Sequence, residues 1–507
     1  MRSPTQVQMI PGWAAAIAVA GLAGCAVGPD VAPAPRPAPA AFSETGAPGA
    51  TAGAPSPDLA FWAEIGDPLL VRLVERGLGE SQDIAMATAR IREARALAGV
   101  ARSALLPEID AGGRYDRTRV STESPELENI DVEQFPGFDE YAQSFRGSLT
   151  IAYEVDIWGK HRRAYQAAVA DLFAEVERRR AASLVLAGDI AATYLEWRTL
   201  ARRRAIAVDS LAAREDSLEL ARAREAAGLG TDLDVARAEA EVASAAASIP
   251  DLDRLAALAE HRLSILVGAP PGSLRAELAA AETAPLAPFP VPVGLPADLV
   301  TRRPDVRSAA LRLAAATARI GQAKADLFPQ VTLFGEIGAH ASDLGEIATK
   351  AAGFFAFGPS IRIPLFDAGR RLDAWTAAEE RADAALHELE RSILVALGEV
   401  EDALATLREE SRRREKLALG VRAGERAALL ARERYTAGIV SFLDVLEADR
   451  TRLAADDALA ESDRRLALAS VQLARAVAGG YAAADRLLPP VDRPGDSLGP
   501  GAFAGSR

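Results

Sequence analysis

The chain has 507 residues, of which 25% are charged and 5% aromatic, and a formal net charge of -13. That length supports a large core or more than one domain, and an acidic chain without a basic patch argues against nucleic acid as a partner. No apolar run after the N-terminus is long enough to be a spanning helix, which argues against helical membrane insertion.

Residues 1–24 read as a processed leader. The apolar stretch from Ala14 to Ala23 is too short to span, is preceded by Arg2, and ends in Leu22-Ala23-Gly24-Cys25. This is the bacterial lipobox pattern, in which the cysteine is lipidated and becomes the first mature residue. Cys25 is the only cysteine, so it cannot form an internal disulfide. A covalent lipid on Cys25 is the one prosthetic group expected, and no other cofactor. Ala26 rather than Asp follows it, which in bacterial lipoproteins usually means sorting to the outer membrane. Residues 25–57 are rich in Ala and Pro and read as an extended tether that buries little. Residues 486–507, rich in Pro and Gly, read as a disordered tail.

Between these ends the chain repeats itself. Arg224-Glu225-Ala226-Ala227-Gly228 returns as Arg434-Tyr435-Thr436-Ala437-Gly438, and Leu233-Asp234-Val235 as Leu443-Asp444-Val445, at an offset of about 210 residues. Arg102-Ser103-Ala104-Leu105-Leu106-Pro107 echoes Lys324-Ala325-Asp326-Leu327-Phe328-Pro329, and Gly159-Lys160 echoes Gly369-Arg370. A period this long is a duplicated architectural unit and not a short solenoid repeat. The first repeat is assigned to 58–275, a linker to 276–300 and the second repeat to 301–485.

Within the first repeat, Leu149, Ile151, Tyr153, Val155 and Ile157 alternate with Thr150, Ala152, Glu154 and Asp156, a strand with one apolar and one polar face. A weaker run lies near Ile109 to Tyr115. From about Lys160 to Ala227 there is no proline and only one glycine, Gly188, among strong helix formers. A helix of that length extends about 100 Å. It ends at Gly228-Leu229-Gly230-Thr231, where glycine supplies a left-handed turn and Thr231 caps the returning helix, with Asp234 positioned for a capping box. The first hairpin is expected over about 160–268. In the second repeat, Val331, Leu333 and Ile337 form a third strand, and Phe355, Phe357, Ile361, Ile363 and Leu365 a fourth. A second long helix from about Arg370 to Ala437 turns at Gly438-Ile439-Val440-Ser441, giving a hairpin over about 370–479. Strands of about ten residues suit a membrane barrel, with Glu154, Asp156, Glu336 and Arg362 facing a wet lumen. Four strands cannot close a barrel, and open sheet edges are not tolerated in lipid, so several chains must share one.

These residues together resemble the TolC-type outer membrane factors, most closely the lipoprotein branch that partners resistance-nodulation-division (RND) efflux pumps. The resemblance is carried by Cys25-Ala26-Val27-Gly28-Pro29-Asp30, Tyr153-Glu154-Val155-Asp156-Ile157-Trp158-Gly159, Arg302-Arg303-Pro304-Asp305-Val306, Phe328-Pro329, Pro364-Leu365-Phe366-Asp367-Ala368-Gly369-Arg370 and the two hairpin turns. It covers nearly the whole mature chain, in order. It implies a mainly α fold with a membrane β-barrel portion: a homotrimer sharing a twelve-stranded barrel in the Gram-negative outer membrane, above a long α-helical periplasmic barrel. The implied partners are outer membrane lipid, a periplasmic adaptor and an inner-membrane RND-type transporter. The implied function is a passive conduit for drugs or other small molecules, with type I protein secretion or metal-cation efflux as alternative cargo. A periplasmic scaffold without a pore would have no use for strands of membrane length.

No catalytic site is expected. His161, His261, His340 and His387 are dispersed, without a second ligand at metal spacing, and there is no nucleophile elbow, P-loop or dinucleotide fingerprint. The resemblance makes Gly228, Leu229, Gly230, Thr231, Gly438, Ile439, Val440 and Ser441 the adaptor-docking tips. Exposed Leu229, Ile439 and Val440 would favour contact there. Counting back from Gly438, the family's gate carboxylate falls on Glu425, with Val421 one turn earlier on the same face. Gly420 and Gly424 beside it would serve either bending or close helix packing.

Overall fold

The structure, a computed structural model, describes residues 26–44, 46–51, 60–63, 66–119, 141–280 and 289–480. The leader, Cys25 and the expected tail lie outside the described residues. In chain order the elements are β1 (Ala50–Thr51), α1 (Ala60–Ala63), α2 (Pro68–Glu80), α3 (Gln82–Ser103), β2 (Glu108–Arg119), β3 (Tyr141–Val155), α4 (Lys160–Ala226) and α5 (Asp232–Leu266). They continue with α6 (Arg275–Ala279), β4 (Val291–Pro292), α7 (Pro296–Arg302), α8 (Pro304–Ala325), β5 (Gln330–Ala341), β6 (Gly353–Arg362), α9 (Arg370–Thr436) and α10 (Phe442–Ala476). The long helices α4 and α9 have 67 residues each, and the returning helices α5 and α10 have 35 each. The chain divides into two compact units, one from 1–34, 93–172 and 311–386, the other from 35–92, 173–310 and 387–507.

The first unit carries the sheet. Its four strands run antiparallel in the order β2-β3-β5-β6, so β2 and β6 are open edges within one chain. The register pairs Thr150 with Glu336 and Ile151 with Gly335, which sorts the side chains into two faces. On one, Ile109, Leu149, Ile151, Ile337, Phe355 and Phe357 are exposed, Phe357 to 78%. On the other, Arg146 pairs with both Glu336 oxygens at 2.9 Å and lies 4.6 Å from the Phe354 ring centroid. A sheet this apolar on one face and polar on the other has the two-sided solvation of a barrel wall.

Two strand ends differ from the alternation. The expected strand to Ile157 stops at Val155 because Asp156 turns to the next helix, accepting from the His161 and Arg162 amides at 3.1 and 2.9 Å. Asp156 therefore supplies the start of α4 with acceptors and does not belong to the polar face of the sheet. The last strand ends at Arg362 and not at Leu365, because its partner β5 begins at Gln330, which pairs with Arg362, and leaves the residues beyond without a strand to bond. β3 in turn begins at Tyr141, eight positions before its strict alternation, and β2 runs through Gly112 and Gly113, whose missing side chains weakened its pattern.

The residues behind Cys25 are extended but not free. Val27 N–H donates to Trp158 O at 3.0 Å, and Asp30 pairs with the buried Arg163. Gly28 has φ +97° and stands against Gly321 of α8, so that a Cβ on Gly28 would lie 2.4 Å from the Gly321 Cα. A Cβ on Gly159 would meet Ala26 at 2.8 Å. Within the second unit, Ser43 and Glu44 amides bond the Glu401 carboxylate at 2.7 and 2.8 Å, and Glu44 pairs with Arg408. The Ala/Pro composition gives an extended backbone, and these contacts turn the expected tether into a strap.

The second unit holds the main core. Leu70, Leu73, Val74, Ile190, Tyr194, Leu263, Val400, Leu473 and Val477 are essentially fully buried, from both repeats. Asp67 caps α2 by accepting from Leu69 N–H at 3.0 Å, and also accepts from Tyr194 Oη at 2.7 Å and Arg198 at 2.6 Å. Burial and this carboxylate push the Tyr194 hydroxyl far above its ordinary range. Arg303, in the second repeat, makes a comparable knot with Asp305, Glu399 and the Ala476 carbonyl. Residues read as a linker also join this core: Phe289 and Val291 are buried, and β4 pairs in parallel with β1.

Candidate functional site

The hairpin turns are built alike. Gly228 and Gly438 have φ +73° and +74°. Leu229 N–H reaches back to Arg224 O and Ile439 N–H to Arg434 O, at 2.8 and 2.9 Å, while Gly228 and Gly438 donate to Glu225 O and Tyr435 O. Both long helices thus close with the paired bonds of a Schellman motif. Thr231 Oγ1 accepts from Asp234 N–H and Asp234 accepts from Thr231 N–H, each at 3.3 Å. Ser441 donates from N–H and Oγ to the Asp444 carboxylate at 2.8 and 2.6 Å. The Ser441 hydroxyl holds the Asp444 carboxyl below the usual carboxylate range.

The tips are not alike in what they expose. Leu229 and Ile439 are 69% and 72% exposed. Val440 instead turns inward, half-buried against the cluster of Ala221, Ala238, Tyr435, Phe442, Val445 and Leu446. The expectation of an exposed Val440 is therefore corrected: Tyr435 and Phe442, with ring centroids 5.5 Å apart, offer it an apolar seat. Gly228, Thr231, Gly438 and Ser441 are exposed and Gly230 is half-buried.

Glu425 is exposed on α9, with Val421 half-buried one turn before it. Its charge acts on Asp456 of α10. Burial raises the Asp456 pKa first; Arg452, bonded at 3.1 Å, lowers it, and Glu425 raises it. A Cβ on Gly424 would stand 3.1 Å from the Arg452 Cα, so Gly424 permits close approach of α9 and α10. Gly420 faces open space.

Sequence reasoning missed the residue that joins the two tips. Arg224 Nη1 donates to Tyr435 O at 2.8 Å and Thr436 O at 3.4 Å, and its guanidinium lies 4.6 Å from the Tyr435 ring centroid. The signal was an arginine at matching positions of both repeats, but nothing in the pattern told which carbonyls it would reach. Among the described residues, no three His, Cys, Asp or Glu side chains converge as metal ligands would, and no helix is long and apolar enough to cross a membrane.

Residues 73–269 and 295–479 match the family described as outer membrane efflux protein. The chain is 31% identical over 462 residues to nodulation protein T of Rhizobium leguminosarum bv. trifolii, covering 91% of this chain and 95% of that protein. It is 33% identical over 427 residues to the pyoverdine export outer membrane protein OpmQ of Pseudomonas putida, covering 84% and 89%. Among solved structures, the outer-membrane channel OprN superposes with a TM-score of 0.81 at 32% identity, covering 90% of this chain and 100% of that one.

Proposed function

The chain belongs to the outer membrane efflux protein family, and from that premise we propose that three copies form the outer membrane channel of a tripartite efflux system. Each copy contributes four strands to a shared twelve-stranded barrel and two helical hairpins to a periplasmic barrel. A periplasmic adaptor and an inner-membrane RND-type transporter complete the path, and the energy for transport comes from the transporter. The observation that carries this reading is the sheet: one apolar exposed face, one charged face and two open edges in a single chain. Open edges in lipid would leave backbone groups unsatisfied at several kcal/mol each, and joining β2 of one copy to β6 of the next removes every edge.

Cys25 anchors each copy by a covalent lipid in the inner leaflet of the outer membrane, with 1–24 removed. Gly228, Leu229, Gly230 and Thr231, with Gly438, Ile439, Val440 and Ser441, dock the adaptor, Leu229 and Ile439 making its apolar contacts. Glu425 and Val421 line a periplasmic constriction, where three carboxylates favour cations. No catalytic group and no cofactor besides the lipid takes part. Purified protein in a planar lipid bilayer tests the reading: a channel gives discrete conductance steps, and a protein that assembles as a trimer yet conducts nothing refutes it.

A further inference from the structure

The duplication leaves the guanidinium of one arginine bonded and that of its twin without a partner among the described residues. Arg224, at the end of α4, caps α9 by donating to the Tyr435 and Thr436 carbonyls and stacking on the Tyr435 ring. A cation at a helix C-terminus meets both free carbonyl lone pairs and the negative end of the macrodipole. The repeat aligns Arg224 with Arg434, at the end of α9. Arg434 is exposed, and its guanidinium has no hydrogen bond or ion pair among the described residues. The groups equivalent to Tyr435 and Thr436 are Glu225 and Ala226, at the end of α4. Both are exposed, and the Glu225 carboxylate is also unpaired among the described residues.

We propose that Arg434 caps helix α4 of a second copy of this chain, bonding the Glu225 and Ala226 carbonyls and pairing with the Glu225 carboxylate. The inference rests on the ring assembly proposed above. In a closed ring of identical chains, each made of two equivalent halves in series, halves alternate around the axis. A contact from the first half to the second within a chain must then recur from the second half to the first half of the next chain. The Arg224 bond to α9 is the contact within a chain, so Arg434 to α4 is the contact between chains. Charge supports the assignment independently. Where the first contact places the Tyr435 ring under the guanidinium, the second places the Glu225 carboxylate, an anionic partner for an exposed cation.

The two seams therefore differ in kind. The seam within a chain is backed by the buried Tyr435–Phe442 cluster, whereas the seam between chains is an exposed ion pair, weakened by salt.

The test uses the full chain in its membrane, with Glu225→Cys and Arg434→Cys variants produced separately or together in one cell. A short bis-maleimide is expected to link chains only when both variants are present, and to link the Glu225→Cys/Arg434→Cys double variant into covalent trimers. As a second readout, Arg434→Glu is expected to speed hydrogen exchange at the end of α4 in the trimer at low salt, and Glu225→Arg added to it to recover part of that protection, since the ion pair reverses but a carboxylate cannot donate to the Glu225 and Ala226 carbonyls. Unlinked trimers of normal mass, or no rescue by the double charge reversal, would overturn the proposal while leaving the ring intact. Wild-type protein that is not trimeric at all would overturn the ring reading and this contact with it.

Discussion

Gly321 and Gly99 occupy equivalent places in the two repeats, on α8 and α3, and replacing each by alanine should move stability in opposite directions. Alanine is favoured over glycine inside a helix by about 1 kcal/mol. Gly99 has open space around it, so Gly99→Ala should keep that gain. At Gly321 the added methyl would lie 2.6 Å from Val27 O and 3.0 Å from Arg163 Cγ. Overpacking of that kind costs roughly 1–3 kcal/mol, which outweighs the helix gain. Strap release is the cheaper relief, since it gives up the Val27 to Trp158 hydrogen bond, about 1 kcal/mol, and parts Asp30 from Arg163. Net, the two variants should differ by about 1–3 kcal/mol, Gly321→Ala being the less stable. Thermal unfolding in detergent reads the difference, and hydrogen exchange of the peptide containing Val27 reads the release. If Gly321→Ala is as stable as Gly99→Ala and the Val27 peptide exchanges at the wild-type rate, the strap is not held by this glycine contact.

Asp67→Ala should destabilise by roughly 3–5 kcal/mol, because it leaves the buried Arg198 without its carboxylate; chemical denaturation measures it, and Asp67→Asn, which keeps the cap, should cost less. The raised pKa of Asp456 means that its contribution to stability is present below about pH 4 and is lost as pH rises through the folded value. Asp456→Asn should accordingly match wild type in acid and exceed it at pH 7, and equal melting temperatures at both would contradict this. Glu425→Ala should reduce cation preference and divalent-ion block in single-channel recordings; unchanged selectivity would remove Glu425 from the constriction. Leu229→Asp should abolish export with the trimer still in the membrane, and loss of the trimer would assign Leu229 to folding instead.

The hairpins were legible because their signals are local. Glycines at 228 and 438, capping residues three positions before an acid, and 67-residue stretches free of proline state helix, turn and return in the residues themselves. The strands were legible where alternation is strict and obscure where glycines interrupt it, as in β2. What the pattern could not give was long-range partnership. The strap was invisible since Ala and Pro describe a backbone conformation and not its contacts, and it is held by Gly28, Gly159 and Gly321, residues that leave no hydrophobic mark. Asp156 was assigned to a face by parity, although its carboxylate satisfies helix amides five and six residues on. Val440 was counted as exposed by its place in a turn, but the Tyr435–Phe442 pair beside it decided otherwise. At the candidate site, positions 224 and 434 looked equivalent, and only the folded tips distinguish them.

The equal lengths of the paired helices, 67 with 67 and 35 with 35, constrain how such a protein can change over time. One residue inserted into a single long helix advances its tip by about 1.5 Å and turns it by about 100°, which moves its capping arginine to another side. A lineage can therefore adapt its reach only by matched events in both helices of both hairpins. Insertions of about seven residues, which nearly restore the facing side, are the smallest step that keeps both tips in register. Gene duplication gave this chain two arms, and with them an accounting rule: neither arm can be edited alone.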